Sequence, residues 1–177
     1  MFNAHGQFVV DQIDASHRVL DLGCGILQQF GGAVPFEHYL AVDGFLPYLE
    51  HLNSSVSAMT LRGMLPDVCN QFLDSSWDTV ILIDVLEHLE KEDGFIVLDH
   101  MERIAKYKVI VDTPLGFQPQ EAWEAWGFPM CELQAHLSGW DTEEFTERGY
   151  VVTCLPNYNE QAGKMTSIMA VLEKGDA

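Results

Sequence analysis

The chain has 177 residues, enough for one well-packed domain and too few for two. Hydrophobic residues make up 47% and charged residues 20%, which excludes an intrinsically disordered chain. With 27 Asp and Glu against 9 Lys and Arg, the net charge of -18 repels phosphate backbones and anionic membranes, so neither a nucleic-acid partner nor a membrane is expected.

Residues 4–14 suit a short leading helix, and HRVLD at His17–Asp21 reads as a buried strand that stops at the glycines of LGCG. A short helix is expected at Leu27–Ala33, weakened by Gly31 and Gly32. A second strand at His38–Val42 ends at Asp43-Gly44. The helix expected at 45–53 carries Pro47 in its first turn. Val56–Leu61 reads as a third strand, 66–73 as helical, and WDTVILI at Trp77–Ile83 as a strongly apolar fourth strand. Helical spacing of Phe95, Leu98, Met101, Ile104 and Ala105 places a helix over Glu92–Ala105, followed by a fifth strand at Tyr107–Val111. Prolines, glycines and Trp123, Trp126 and Trp140 occupy 115–140, a length without clear period that reads as a lid. A helix at 142–148 leads to strands Tyr150–Leu155 and Thr166–Leu172, joined by a polar turn at 156–164 as an antiparallel hairpin. Alternation of strand and helix is the pattern of an α/β domain with a largely parallel sheet, and a single domain over 1–177 is expected.

Cys24, Cys69, Cys131 and Cys154 are widely spaced, with no neighbouring histidine at metal-ligand spacing, so reduced thiols in a cytoplasmic protein are expected. MFNAHGQFVVDQID lacks a basic start and a long apolar run, so no targeting or membrane-spanning segment is expected.

Within VLDLGCG, at 19–25, a buried strand ends in an acid and two glycines spaced by one residue. Glycine lets a backbone approach a ligand closely, and Asp21 offers a fixed charge for an ammonium group or for polarising the loop. Asp43 follows one strand-turn-helix later at a strand end, where a carboxylate accepts hydrogen bonds from ribose hydroxyls. The pair points to a nucleoside ligand. An NAD-binding domain is disfavoured because the order G-x-G-x-x-G and a second half for substrate are both missing.

Taken in succession, VLDLGCG, AVDG and FLDSSWDTVILIDVLEHLEKEDG resemble motifs of the class I S-adenosylmethionine-dependent methyltransferases over most of the chain. That resemblance implies a three-layer, Rossmann-like, seven-stranded sheet, parallel except for its last strand, with S-adenosylmethionine across the carboxyl edge and S-adenosylhomocysteine (SAH) as product. It places Asp21, Gly23, Cys24 and Gly25 at the methionine portion, Asp43 on the ribose with Gly44 and Phe45 beside it, and Met64 and Leu65 against adenine. Asp84, Val85 and Leu86 would close over the methionine end. Two departures stand out: Leu27 occupies a position where relatives often carry a further glycine, and LRGMLPD after the third strand brings Asp67 late for the adenine amino group, leaving backbone groups to hold it.

The acceptor is expected to be a small molecule. His136 is the first choice of general base for a hydroxyl acceptor, although a lone histidine there more often anchors a loop. His88, one helical turn after Asp84, either lines the acceptor pocket or orients its loop. Asp112 at the end of the fifth strand offers a site for an amine; it has no companion at magnesium spacing, and no metal is expected. Trp123, Trp126 and Trp140 would supply stacking surface or fill core. The runner-up reading is a non-catalytic binding or regulatory protein on the same fold, and either a monomer or a homodimer fits.

Overall fold

The computed structural model describes residues 2–56, 58–159 and 163–175. Seven strands form one sheet: β1 (Arg18–Leu22), β2 (His38–Asp43), β3 (Met59–Arg62), β4 (Trp77–Ile83), β5 (Ala105–Pro114), β6 (Val151–Asn159) and β7 (Gly163–Glu173). Their order is β3-β2-β1-β4-β5-β7-β6. Strand β7 is antiparallel to both its neighbours, and every other pairing is parallel, as the resemblance implied.

Helices cover both faces because alternate strand residues point to opposite sides, and both sides are apolar. On one face Val19, Ile81, Ile83 and Ile110 pack with Val9 and Ile13 near α1 (Ala4–Gln12) and with Leu49 and Leu52 of α2 (Leu46–Ser55). On the other, Leu20, Leu22, Val80, Leu82, Val109 and Val111 meet Val97, Leu98, Met101 and Ile104 of α3 (Lys91–Ile104) and Phe145 of α4 (Thr142–Thr146). Each such side chain contributes about 1.5–3 kcal/mol by leaving water. Between β1 and β4 the chain reverses its direction of travel across the sheet, and a crevice opens there at the carboxyl ends of the strands.

Two expected helices are only 3₁₀ turns. Gln28–Phe30 cannot lengthen because Leu27 precedes it with φ 59° and Gly31 follows with φ 65°, both left-handed. Asp67–Gln71 replaces the helix expected at 66–73, opening at Pro66, which has no N–H to donate. The terminal hairpin strands run on to Asn159 and Gly163; residues 160–162 of the expected turn, and residue 57 of the expected third strand, lie outside the described residues. Among the described residues no helix is long and apolar enough to cross a membrane.

Candidate functional site

The carboxyl ends of β1, β2 and β4 open into a cavity of about 440 Å³, within the range of small-molecule sites. Its first wall is made by backbone. Gly23 and Cys24 leave β1 by donating their N–H groups to the Val42 carbonyl at 2.8 and 3.0 Å, which keeps the turn against β2. Gly23 has φ 76°, and a Cβ there would run into Val85, so the strand ends of β1 and β4 touch only because this residue has no side chain. Asp43 then joins the loops: Oδ2 accepts the Gly25 N–H at 2.9 Å and Oδ1 the Phe45 N–H at 2.8 Å. A carboxylate has about four acceptor directions, so some acceptor capacity remains for a hydroxyl of a ligand. Burial pushes the Asp43 carboxyl up, and the N–H groups of Phe45, Gly25 and Gly44 oppose that rise.

Leu27 resolves one departure noted in the sequence. Its backbone takes the left-handed conformation that a glycine would adopt without strain, while its side chain is wholly buried in the core beside Phe30 and Val9. Apolar packing thus holds the turn shape that conformational freedom would otherwise supply. Met64 and Leu65, after β3, line the cavity with Gly44, against which the Met64 sulfur packs closely.

The floor comes from the end of β4. Asp84 has φ 52° and donates its N–H to the Asp112 carbonyl at 3.0 Å. Its side chain is open to water in the cavity, yet surrounding protein and the Asp112 charge push its carboxyl up to about 7. Val85 lines the cavity beside it.

The third wall belongs to the lid segment, 115–140. Trp123 and Trp126, each 40% exposed, line the cavity with ring centroids 6.4 Å apart. The Trp126 ring lies 3.8 Å from where a Cβ on Gly25 would stand, so the lid rests over the glycine loop. Trp126 also meets Tyr48 at 5.5 Å, and Tyr48 meets Phe45 at 4.7 Å, linking α2 to the lid through an aromatic row. His88 and His136 face each other with ring centroids 4.7 Å apart. Their Nδ1 atoms lie 3.0 Å from the Ala135 carbonyl and 2.5 Å from the Gln118 carbonyl. Carbonyls only accept, so Nδ1 carries the proton in both rings and Nε2 keeps a lone pair. Burial favours the neutral form in both: His88 falls to about 4 and His136 falls below its ordinary value.

Four expected site residues lie outside the cavity lining. Asp21 is wholly buried and accepts the Tyr39 hydroxyl, a brace between β1 and β2; desolvation raises its carboxyl to about 7. Leu86 is wholly buried, and its carbonyl accepts Trp140 Nε1 at 3.3 Å and Ser138 Oγ at 3.2 Å. Trp140 is 0% exposed, packed on Gly94, Phe95 and Phe145 under the Lys91 ammonium at 3.5 Å, and is therefore core. Asp112 is taken by His5, whose Nδ1 lies 2.6 Å from Oδ2, because α1 lays that ring on the end of β5.

The cavity also contains residues that sequence reasoning did not select: Asn3, Gln28, Tyr48 and Glu87. The sequence signal for Glu87 is only its place directly before His88 on the β4 loop, which gains meaning once the fold brings His136 beside it, and the other three carry no local pattern. Glu87 is buried, and its Oε2 accepts the Thr113 hydroxyl at 3.0 Å. One donor atom from each of Glu87, His88 and His136 lies within 4.8 Å of the others, a set able to hold a cation.

These features fit S-adenosylmethionine. The glycine loop leaves room for backbone contact, Asp43 retains acceptor capacity, and the buried Tyr48 hydroxyl on the cavity wall has no nitrogen or oxygen hydrogen-bond partner among the described residues.

No family model matches the chain, and no curated protein sequence matches it. Solved structures do. A SAM-dependent methyltransferase from Archaeoglobus fulgidus is 15% identical, with a TM-score of 0.63 over 94% of each chain. TehB from Haemophilus influenzae is 13% identical with a TM-score of 0.70, over 98% of this chain and 63% of its own. Magnesium protoporphyrin IX methyltransferase from Synechocystis with bound SAH is 16% identical with a TM-score of 0.57, over 93% of this chain and 79% of its own. Strand order, the antiparallel β7 and these likenesses together show that this chain has the fold of the class I S-adenosylmethionine-dependent methyltransferases.

Proposed function

We propose that the protein binds S-adenosylmethionine in this cavity and transfers its methyl group to a small-molecule acceptor. The observation that carries the reading is the Asp43 carboxylate, which bridges the Gly25 and Phe45 N–H groups on the cavity wall and keeps acceptor directions for ribose hydroxyls. Gly23 and Gly25 with Cys24 accommodate the methionine portion, Met64 and Leu65 flank adenine, and Asp84 and Val85 close the methionine end. When bound, the sulfonium supplies an already activated methyl group. What remains for the chain is alignment and exclusion of water, and Trp123 and Trp126 provide that cover.

A neutral His136, with its Nε2 lone pair free, suits removal of a proton from an acceptor. The size of the cavity and the strongly negative chain favour a small acceptor over a nucleic acid, in a cytoplasmic protein. The test is release of SAH from S-adenosylmethionine across a panel of hydroxyl, amine and carbon acceptors. Release above the acceptor-free rate is expected for at least one class. Intact SAH binding with no release from any acceptor would instead favour a non-catalytic binding protein.

A further inference from the structure

We propose that Glu87, His88 and His136 form a site for a divalent first-row transition metal ion at the acceptor end of the cavity. The donor set is one carboxylate and two imidazoles, with donor atoms within 4.8 Å of one another, and all three residues line the cavity. Metal–nitrogen and metal–oxygen bonds of about 2.0–2.2 Å bring ligand atoms to about 3–4 Å, so small side-chain rotations close the set on one ion.

What distinguishes this cluster from a chance gathering of polar groups is that each member is already oriented from behind. The Ala135 carbonyl takes the His88 Nδ1–H and the Gln118 carbonyl the His136 Nδ1–H, which leaves Nε2 of each ring as the ligating atom. Thr113 Oγ donates to Glu87 Oε2 and leaves Oε1. Outer partners of this kind fix the tautomer and aim of metal-bound histidines. The backbone is held too: the Glu87 carbonyl accepts the Leu137 and Ser138 N–H groups at 2.8 and 3.1 Å, tying the loop after β4 to the end of the lid next to His136.

Two imidazoles and one carboxylate select Zn²⁺, Co²⁺, Fe²⁺ or Mn²⁺ over Ca²⁺ and Mg²⁺, which prefer all-oxygen sets. Three protein ligands leave coordination positions open to the cavity, the arrangement of catalytic rather than structural sites. Those positions take an oxygen donor, so the acceptor class is a molecule with a hydroxyl or similar oxygen that the ion binds and polarises. The choice of acceptor rests on the methyl-transfer reading; the ion site does not. With an ion bound, His136 would be a ligand rather than the free base; the ion would lower the pKa of the bound hydroxyl, whose proton would pass to water in the cavity as the oxygen takes the methyl group.

The experiment uses the full chain, stripped with a chelator and dialysed against Co²⁺, with metal content and visible absorption as readouts. One Co²⁺ per chain is expected, with weak d–d bands of nitrogen and oxygen ligation. His136→Ala, on the lid, and Glu87→Gln should each weaken Co²⁺ binding at least about tenfold. Thr113→Val, which keeps all three ligands, should weaken it about tenfold through loss of the outer hydrogen bond. Asp43→Ala should lose SAH binding and keep Co²⁺, so failure of the cofactor reading and failure of the ion site give different results. Equal uptake by wild type and His136→Ala, an intense sulfur-to-cobalt band pointing to Cys24 or Cys131, or no uptake at all would each overturn the site.

Discussion

The two long walls of the cavity are built by different means. On the β1–β2 side the shape is made by backbone: strand ends, two left-handed glycines and N–H groups shared by one carboxylate, all continuous with the buried sheet. On the lid side it is made by side chains on a segment with only two short 3₁₀ turns, held by histidine-to-carbonyl bonds and an aromatic row. A backbone wall is rigid and suits a ligand portion that never changes, whereas a side-chain wall can be altered residue by residue without disturbing the fold. The lid itself divides in the same way: Trp140 belongs to the core, and Trp123 and Trp126 belong to the cavity.

Substitutions that separate these roles break or sharpen the contrast. Trp140→Ala removes a wholly buried indole and should cost about 3–5 kcal/mol of stability, read as a lower denaturant midpoint. Gly23→Ala forces a Cβ into Val85 at a left-handed position and should cost about 1–3 kcal/mol, with SAH affinity falling as the β1 turn moves. Trp126→Ala should leave the melting temperature nearly unchanged and weaken SAH binding about fivefold to tenfold in calorimetry, because its ring covers Gly25 from the lid. Equal loss of stability from Trp126→Ala and Trp140→Ala would erase the division of the lid.

The smallest effect concerns pH. The folded protein holds the Asp21 carboxyl at about 7 against an ordinary value of 3.8. Between those values the folded state keeps a proton that the unfolded chain releases, so this group's contribution to stability is full below about pH 4 and declines as pH rises through about 7. Asp21→Asn keeps an oxygen for the Tyr39 hydroxyl and cannot ionise. It should reduce the fall in melting temperature between about pH 6 and pH 7 by about 2–4 °C.

Much of the fold was legible in the chain because strands such as WDTVILI are apolar on both faces, a pattern that only a buried, largely parallel sheet explains. The glycine loop and Asp43 were legible for the same reason, since they interrupt such strands at fixed places. Asp112 and Trp140 misled because their fate depends on distant partners: His5 arrives from the first helix, and Gly94 opens a slot in α3 that receives the indole. Glu87 was passed over because a carboxylate beside a histidine has no meaning until the lid brings His136 to it. Leu27 shows the converse, a residue that breaks the expected glycine pattern while its buried side chain keeps the turn in shape.

The most direct measurement is calorimetric titration of SAH into the wild-type protein and into Asp43→Ala. Saturable binding at one site per chain is expected for the wild type. Loss of the carboxylate that joins the Gly25 and Phe45 N–H groups should weaken it about a hundredfold. No heat of binding from the wild type at saturating SAH, or equal affinity in the two proteins, would contradict the account.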